Sequence, residues 1–362
     1  MATEVTSRGD RSGHGPAAGQ QRRRTGGGER GVMVSFQARG RWAALLLAGL
    51  TPVLAELSLG NPPLRQAWLL LLWTPIYGAG TVLIRDLVRR AGRGWGSVLL
   101  LGLAYGIVEE GLALQALTSP AMYGAAGWAP RVLGLNSAYT ELNLPYHAVF
   151  SVALPILLAD LIVPSLRHRP YLGRAGLVTA GAVFVLGALL LRWTASFVDP
   201  GYVLPAAAAA VFVVLVAGLA VLALRVVPRP AVAAGGPAGG AARVPAPPVV
   251  AVAALVAAFG YLALLFPFGG ADHPAFTRGG WVAAPMAGAV LLAVAAGTLL
   301  RRWTAHGGWR DRHSLALAGG ALVGHTAFGV AANGDTAADR LSLAGLGLVM
   351  IVALALLARR TR

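Results

Sequence analysis

Ten stretches of the chain are apolar over about 20 residues, and this pattern constrains the fold more than any other feature. Lipid offers no hydrogen-bond partner to a free backbone amide, so a segment crosses a bilayer only when its own backbone bonds are satisfied. The sequence therefore predicts an all-α fold, a polytopic transmembrane helix bundle. The predicted spans are 42–59, 66–84, 97–117, 145–164, 175–194, 204–224, 249–268, 281–300, 315–333 and 341–358.

The arginine residues predict the orientation of this bundle. The chain has 30 basic and 14 acidic residues, and every basic residue is Arg. Short cytoplasmic loops of membrane proteins are enriched in basic residues. With both termini in the cytoplasm, 25 of the 30 arginines lie in cytoplasmic segments, whereas the loss of one span would reverse half of the loops. The sequence thus predicts an N-in, C-in topology, and the net charge of +16 mainly records that orientation.

Composition excludes several other classes of protein. Hydrophobic residues make up 56% of the chain, charged residues only 12%, and Cys is absent, which excludes a soluble enzyme, a disordered chain and a disulfide-rich secreted domain. A GxxxxGK[ST] loop cannot exist without Lys, so we expect neither ATP hydrolysis nor a cofactor. The arginines follow the membrane edges, so the expected partner is the lipid bilayer and not nucleic acid. We expect a multi-pass protein of the bacterial inner membrane.

Composition shifts divide the chain into four segments. Residues 1–41 are rich in Gly and Arg and are typical of a disordered cytoplasmic tail. Residues 42–224 hold six spans, and residues 249–362 hold four. Between them, residues 225–248 are rich in Pro, Gly and Ala and are expected to form a cytoplasmic linker. The long outer loop 118–144 is expected to lie on the membrane surface as a cap.

Two adjacent glutamates stand where a bilayer-spanning helix should be apolar. Glu109 and Glu110 come at least one helical turn inside the third predicted span, where a carboxylate usually faces protein or water. Gly102, Gly106 and Glu110 recur every four residues on one face, and this GxxxG pattern lets a neighbouring helix approach closely. Adjacent carboxylates repel, so at least one is expected to hold a proton at neutral pH. Such a pair can exchange a proton, hold a cation or activate a water; the alternative is a purely structural, protonated glutamate.

Further polar residues are expected at a similar depth. His147 opens the fourth predicted span and His325 lies in the middle of the ninth, where a single histidine is most often an interhelical hydrogen-bonding residue. Depth alone favours one cavity shared with the glutamates. The candidate catalytic residues are Glu109, Glu110 and His147, and the further candidate cavity residues are Glu56, Tyr105, Ser151, His325 and Asn333.

Around the glutamate pair the sequence resembles the CPBP intramembrane protease family, which includes CAAX prenyl endopeptidases and bacteriocin-processing enzymes. That family carries an in-membrane EExxxR motif, followed by FxxxH and HxxxN/D motifs. The resemblance implies a water activated by Glu109 and Glu110, with His147 as the downstream histidine that polarises a scissile carbonyl. The chain departs from the motifs at the Arg, Phe and Asn/Asp positions, which hold Leu114, Asn143 and Ser151.

Three functions are compatible with these patterns. A transporter or permease that uses the buried glutamates for proton or cation handling is favoured, because glycine-rich helix faces also permit rocking. The alternatives are a CPBP-like intramembrane hydrolase acting on a peptide, and a non-catalytic membrane scaffold. A metal ligated by Glu and His stays open, although no HExxH or similar compact spacing is present.

Overall fold

A computed structural model describes residues 21–230, 244–266 and 279–360, with side chains from residue 38 onward. Within these residues, ten helical segments are long and apolar enough to cross a membrane, which confirms the predicted all-α bundle. The α-helices are α1 (Gln21–Ala55), α2 (Leu70–Arg90), α3 (Trp95–Gly106), α4 (Ser137–Tyr146), α5 (Leu154–Ile162), α6 (Arg174–Val198), α7 (Ala206–Val221), α8 (Pro247–Leu265), α9 (Ala283–Thr304), α10 (Asp311–Ala332) and α11 (Ala337–Ala358).

Shorter elements complete several spans and the outer loop. Three segments are π-helical, namely Ile107–Ala113, His147–Ala153 and Leu222–Val226. The 3₁₀ segments are Leu57–Leu59, Leu64–Leu69, Met122–Gly127, Pro164–Leu166 and Gly279–Val282. A small antiparallel hairpin in the outer loop consists of β1 (Arg131–Val132) and β2 (Leu135–Asn136).

The fourth span differs most from its predicted bounds. It joins α4, the π-helical segment His147–Ala153 and α5, and it begins at Ser137 instead of residue 145. This span is also the most buried of the ten, because 72% of its apolar stretch is buried inside the protein. A helix surrounded by other helices needs no continuous apolar surface toward lipid, so hydropathy alone does not mark its start.

Burial separates central helices from peripheral ones. The first, third and fourth spans are 61%, 67% and 72% buried, whereas the spans formed by α6, α9 and α11 are each 11% buried. The peripheral helices expose Leu and Val side chains over most of their surface, as expected for contact with lipid. Polar side chains are therefore tolerated in the central helices, where the candidate site lies.

The last four spans share a hydrophobic core with the first six. Leu54 of α1, Tyr146 of α4 and Leu158 of α5 belong to the same buried cluster as Ala258 of α8 and Leu322 of α10. The π-helical segment before the predicted linker ends at Val226, and α8 begins at Pro247; residues 231–243 of that linker lie outside the described residues.

The prediction of a disordered tail over 1–41 covers residues that are described only in part. The backbone of α1 is helical from Gln21 onward, while residues 1–20 lie outside the described residues. Extending an existing helix adds one hydrogen bond per residue without a new nucleation step, so a spanning helix can continue into a polar sequence.

Small residues set the close contact between α3 and the fourth span. A Cβ atom at Gly102 would lie 2.6 Å from the Cα atom of Ala148, and one at Gly106 would lie 3.3 Å from the Cβ atom of His147. The predicted GxxxG face is therefore the face that meets the fourth span. This approach brings the residue one turn further along that face, Glu110, against His147.

A buried ion-pair network fills the predicted cytoplasmic end of the bundle, and it corrects two expectations. Arg85, expected in a cytoplasmic loop, is fully buried in α2, and Asp160, expected to reach interfacial water, is 5% exposed. The Arg85 Nη2 and Nε atoms donate to Asp160 Oδ1 at 2.7 and 3.0 Å, and Arg89 donates to Asp160 Oδ2 at 2.8 Å. The Arg85 guanidinium also lies over the ring of Tyr171, with its Cζ atom 3.3 Å from the ring centroid. Paired and hydrogen-bonded charges can replace water at a buried site.

The outer loop folds over the bundle and is fixed by one buried amide. Asn136 is fully buried and donates from Nδ2 to the carbonyl oxygens of Ala116 and Ser119, both at 2.8 Å. Its backbone amide donates to the carbonyl oxygen of Leu117 at 2.8 Å. These three bonds hold the β-hairpin against the end of the third span.

Candidate functional site

Two π-helical segments carry the candidate residues. Glu109 and Glu110 lie in Ile107–Ala113, and His147 and Ser151 lie in His147–Ala153. A π-helical turn widens the helix and re-aims its side chains, and such turns are frequent at functional sites. Both segments face each other across the contact between the third and fourth spans, so the widened turns bring the glutamates and the imidazole together.

His147 lies between the two glutamates. Its Nε2 atom is 3.0 Å from Glu110 Oε1, and its Nδ1 atom is 3.3 Å from Glu109 Oε2. The three side chains are each at most 4% exposed as residues. In the imidazolium form, both ring N–H groups face a carboxylate. The arrangement can therefore store and exchange a proton between one imidazole and two carboxylates.

Ser151 and Tyr105 support His147 from the protein side. The Ser151 hydroxyl lies 3.0 Å from His147 Nδ1 and can donate to that nitrogen when the imidazole is neutral. The ring of Tyr105 packs at 5.7 Å from the imidazole, centroid to centroid. In the neutral imidazole, Nδ1 can accept from the Ser151 hydroxyl while the Nε2–H group donates to Glu110 Oε1, so a proton can leave Nδ1 without leaving either ring nitrogen unpaired.

Two tyrosine hydroxyls donate hydrogen bonds to the carboxylates of Glu110 and Glu56. The Tyr139 hydroxyl donates to Glu110 Oε2 at 2.8 Å, and the Tyr77 hydroxyl donates to Glu56 Oε1 at 2.7 Å. Glu56, expected to reach interfacial water, is 7% exposed and lies at the end of α1. Phenolic donors replace water at these oxygens, which explains how Glu110 and Glu56 are accommodated inside the bundle.

His325 belongs to a neighbouring polar cluster. Its Nδ1 atom is 3.1 Å from Ser58 Oγ, and its Nε2 atom is 2.9 Å from the Tyr146 hydroxyl. The imidazole stacks on Phe150, with the ring centroids 4.4 Å apart. Each of these hydroxyls also lies within donating distance of a main-chain carbonyl oxygen, Ser58 of Leu54 and Tyr146 of Ala55, and a neutral imidazole can donate to one of the two hydroxyls. Tyr146 packs edge-on against His147 at 5.5 Å, so one aromatic ring separates the two histidines.

A cavity of about 670 Å³ connects the cluster to the surface at the end of the bundle that carries the loop 118–144, the predicted outer end. The candidate residues that line it are Glu56, Glu109, Glu110, His147 and Asn333. The other three candidates are not lining residues. Ser151 and Tyr105 contact the lining residue His147, and His325 contacts the lining residue Tyr146. At the outer end, the cavity includes Tyr123, which is 53% exposed, and Asp335, whose side chain is 77% exposed.

The lining of the cavity is acidic. Four carboxylic acids line it, and none of its described lining residues is Arg. The chain contains no Lys. The field inside the cavity therefore favours positively charged groups and protons over anions.

The described residues show no compact metal site. No group of three or more His, Asp or Glu side chains among them has positions that could hold a metal ion.

Sequence reasoning missed several residues that complete the cavity. Tyr77 and Tyr146 lie inside apolar spans, where a phenol is readily taken for a bulky hydrophobic residue, and Trp73 lines the same wall. Asp335, at the exposed end of the cavity, is a further lining residue that the sequence analysis did not single out. A phenol in a span at the same depth as buried acids is the one signal that could have found the tyrosines.

The fold and the cavity define a polytopic membrane protein with a buried acidic site. The chain belongs to a family described as an uncharacterized membrane protein family, whose model matches residues 45–302, more than two thirds of the chain. No curated protein and no solved structure matches the chain. The matched family is described by its membrane character and not as a CPBP protease family, so the resemblance at the glutamate pair contributes only to a second candidate function.

Proposed function

We propose that the protein is a membrane transporter that exchanges protons or other cations through the Glu109–His147–Glu110 cluster. The observation that carries the proposal is the cavity of about 670 Å³ that is lined by four acidic side chains and one histidine, with no arginine among its described lining residues. A site of this charge attracts cations and repels anions. We also propose the bacterial inner membrane as its location.

The chemistry of the cluster couples protons to cations. Two carboxylates beside one imidazole cannot both stay ionised in a poorly hydrated site unless a positive charge is present. That charge is either a proton on His147 or a glutamate, or a cation in the cavity. Arrival of a cation therefore favours release of a proton, and its departure favours uptake of one.

The two ends of the bundle differ in a way that supports one-sided access. The outer end of the cavity reaches exposed residues such as Asp335, whereas the network around Arg85 and Asp160 fills the predicted cytoplasmic end. Movement of cargo to the cytoplasm would require the contacts of α2 with α5 to open. Close-packed glycine faces such as Gly102 against Ala148 provide smooth surfaces for that movement.

Proton flux in proteoliposomes tests the proposal. The purified protein is reconstituted with an internal pH-sensitive dye, and gradients of sodium, potassium or choline chloride are imposed in turn. The wild type should change the internal pH with at least one cation, and Glu110→Gln should abolish the change. Glu141→Gln, which alters an acid outside the cavity lining, should retain it. Equal flux in wild type and Glu110→Gln would contradict the proposal.

A second candidate function is intramembrane hydrolysis. The 3.0 Å contact between Glu110 and His147 supports it, because a carboxylate next to an imidazole can activate a water while the imidazole polarises a carbonyl. A hydrolase would cleave peptides presented in detergent or lipid and would show no cation-dependent proton flux. Absence of both activities would favour a membrane scaffold.

A further inference from the structure

Aromatic rings are concentrated around the cavity. Seven of its 28 lining residues are Phe, Trp or Tyr, whereas these residues make up 7% of the chain. Trp128 of the outer loop lies between Tyr139 and Phe266, at centroid distances of 5.4 and 5.9 Å. These rings form a continuous aromatic wall that brings the outer loop against α4 and the end of α8.

The acidic part of the same cavity has an unused acceptor. Glu109 is 2% exposed and lines the cavity, and its Oε2 atom has no hydrogen bond among the residues that the structure describes. Its closest basic neighbour is His147 Nδ1 at 3.3 Å. An ionised carboxylate in this position is stabilised by a nearby positive charge, which a protonated His147 or a cation in the cavity can supply.

Size and ligand set argue against a bare inorganic ion as the cargo. A volume of about 670 Å³ falls within the range of small-molecule sites and far exceeds a single ion. A hard cation such as Ca²⁺ requires six or more oxygen ligands at short range, and no group of three acidic or histidine side chains in the described chain is placed to hold a metal. A positively charged molecule that is large enough to fill the cavity therefore fits it better than a bare ion does.

We propose that the cavity binds an organic cation, an alkylamine or quaternary ammonium group whose charge is attracted by the glutamates that line the cavity, Glu109 among them, and whose alkyl groups contact the aromatic wall. Aromatic faces attract such cations because the ring quadrupole is negative above the ring plane, and the attraction strengthens where water is excluded. Glu56, held by the hydroxyl of Tyr77, adds a second negative charge on the same cavity. This inference rests on the proposed function in that it names the cargo of the same site.

Binding to the purified full-length protein in detergent tests this inference without a transport assay. The probes are choline chloride and the neutral isostere of choline in which a quaternary carbon replaces the nitrogen. Unfolding is followed by tryptophan fluorescence, with sodium chloride at matched ionic strength as reference. Choline should raise the Tm in a concentration-dependent way, and the neutral isostere should not. Equal shifts with both probes, or no shift with choline, would overturn the inference without relying on any variant.

Matched variants locate the binding site. Glu109→Gln and Trp128→Leu should each weaken choline binding about tenfold, the amount expected for a desolvated cation contact. Glu141→Gln and Trp193→Leu are the controls, because neither residue lines the cavity and Trp193 is 60% exposed on α6. Unchanged affinity in Glu109→Gln and Trp128→Leu would place the bound cation elsewhere and overturn the inference.

The two proposals fail separately. If choline does not bind but Glu110-dependent proton flux persists with sodium or potassium, the organic cation is wrong and the transporter proposal stands. If choline binds with the predicted selectivity but no flux is seen with any cation, the transporter proposal is wrong and the binding site stands.

Discussion

The Nε2 atom of His147 lies 3.0 Å from Glu110 Oε1, and this contact joins two π-helical turns from different membrane spans. Neither residue is placed by its own helix alone. The close approach of Gly102 to Ala148 sets the distance between the helices, and the widened turns aim both side chains at the cavity. A substitution in the His147–Glu110 pair and a substitution in the Gly102–Ala148 contact should therefore have different consequences.

Replacement of His147 by Gln should abolish proton flux and leave the fold intact. Glutamine can still hydrogen-bond to Glu110 and Ser151, but it cannot take up a proton at physiological pH. Flux in proteoliposomes and the elution profile in detergent are the two measurements. His306→Gln, on the exposed segment between α9 and α10, is the control and should behave as wild type. Normal flux in His147→Gln would exclude the imidazole from the exchange step.

Replacement of Asp160 by Ala should destabilise the protein strongly. Arg85 would keep its charge at a fully buried position without its carboxylate partner, which costs about 3–5 kcal/mol. The measurement is the free energy of unfolding in detergent by denaturant titration. The double variant Arg85→Met with Asp160→Leu should recover much of the loss, because it removes the fully buried charge together with its partner and leaves only Arg89, whose side chain is 11% exposed, without its carboxylate.

The exposed pair between Arg167 and Asp311 provides the comparison for that experiment. Asp311→Asn removes an ion pair whose side chains are 28% and 40% exposed. We expect a change of about 0–1 kcal/mol, as is usual for solvent-exposed pairs. Equal losses in Asp160→Ala and Asp311→Asn would show that burial of Arg85 does not determine stability.

Replacement of Gly102 by Val should loosen the contact between α3 and the fourth span. A Cβ atom there would meet the backbone of Ala148, and overpacking of this kind costs about 1–3 kcal/mol. The Tm in detergent measures the loss. Gly181 of α6 has open space around its Cα atom, so Gly181→Ala should leave the Tm unchanged or raise it slightly. A lower Tm for Gly181→Ala than for Gly102→Val would contradict the packing argument.

Single cysteines can test the predicted orientation, because the chain has no Cys of its own. Leu133 at the tip of the outer hairpin is 98% exposed, and His306 lies between α9 and α10 on the predicted cytoplasmic side. A membrane-impermeant maleimide added to intact cells should label Leu133→Cys and not His306→Cys. After permeabilisation, both should react. Labelling of His306→Cys alone in intact cells would reverse the N-in, C-in topology.

The candidate site could be predicted only in part. The spacing of Gly102, Gly106 and Glu110 places the glutamate on a packed face because every fourth residue of a helix shares one side. The partners of that glutamate do not follow from any local pattern. Tyr77 and Tyr139 come from other spans, and their hydroxyls reach Glu56 and Glu110 only after the helices pack.

Arg85 is a residue that the sequence analysis placed at the surface and that the structure buries. A basic residue next to Arg89 and Arg90 is typical of a cytoplasmic loop, yet Arg85 is fully buried within α2. Its burial depends on Asp160 and on the ring of Tyr171, which are far away in the chain. Hydropathy measures the residue itself and contains no information about a partner that arrives through folding.

The sequence by itself determined the number of spans and the membrane environment, because the requirement for about 20 apolar residues with internally bonded backbone acts locally along each segment. It also identified Glu109, Glu110 and His147 as polar groups at membrane depth. Only the tertiary structure decided that they contact one another and share a cavity with Glu56 and an aromatic wall. That outcome depends on how helices distant in sequence pack, which is a property of their surfaces together and not of any one segment.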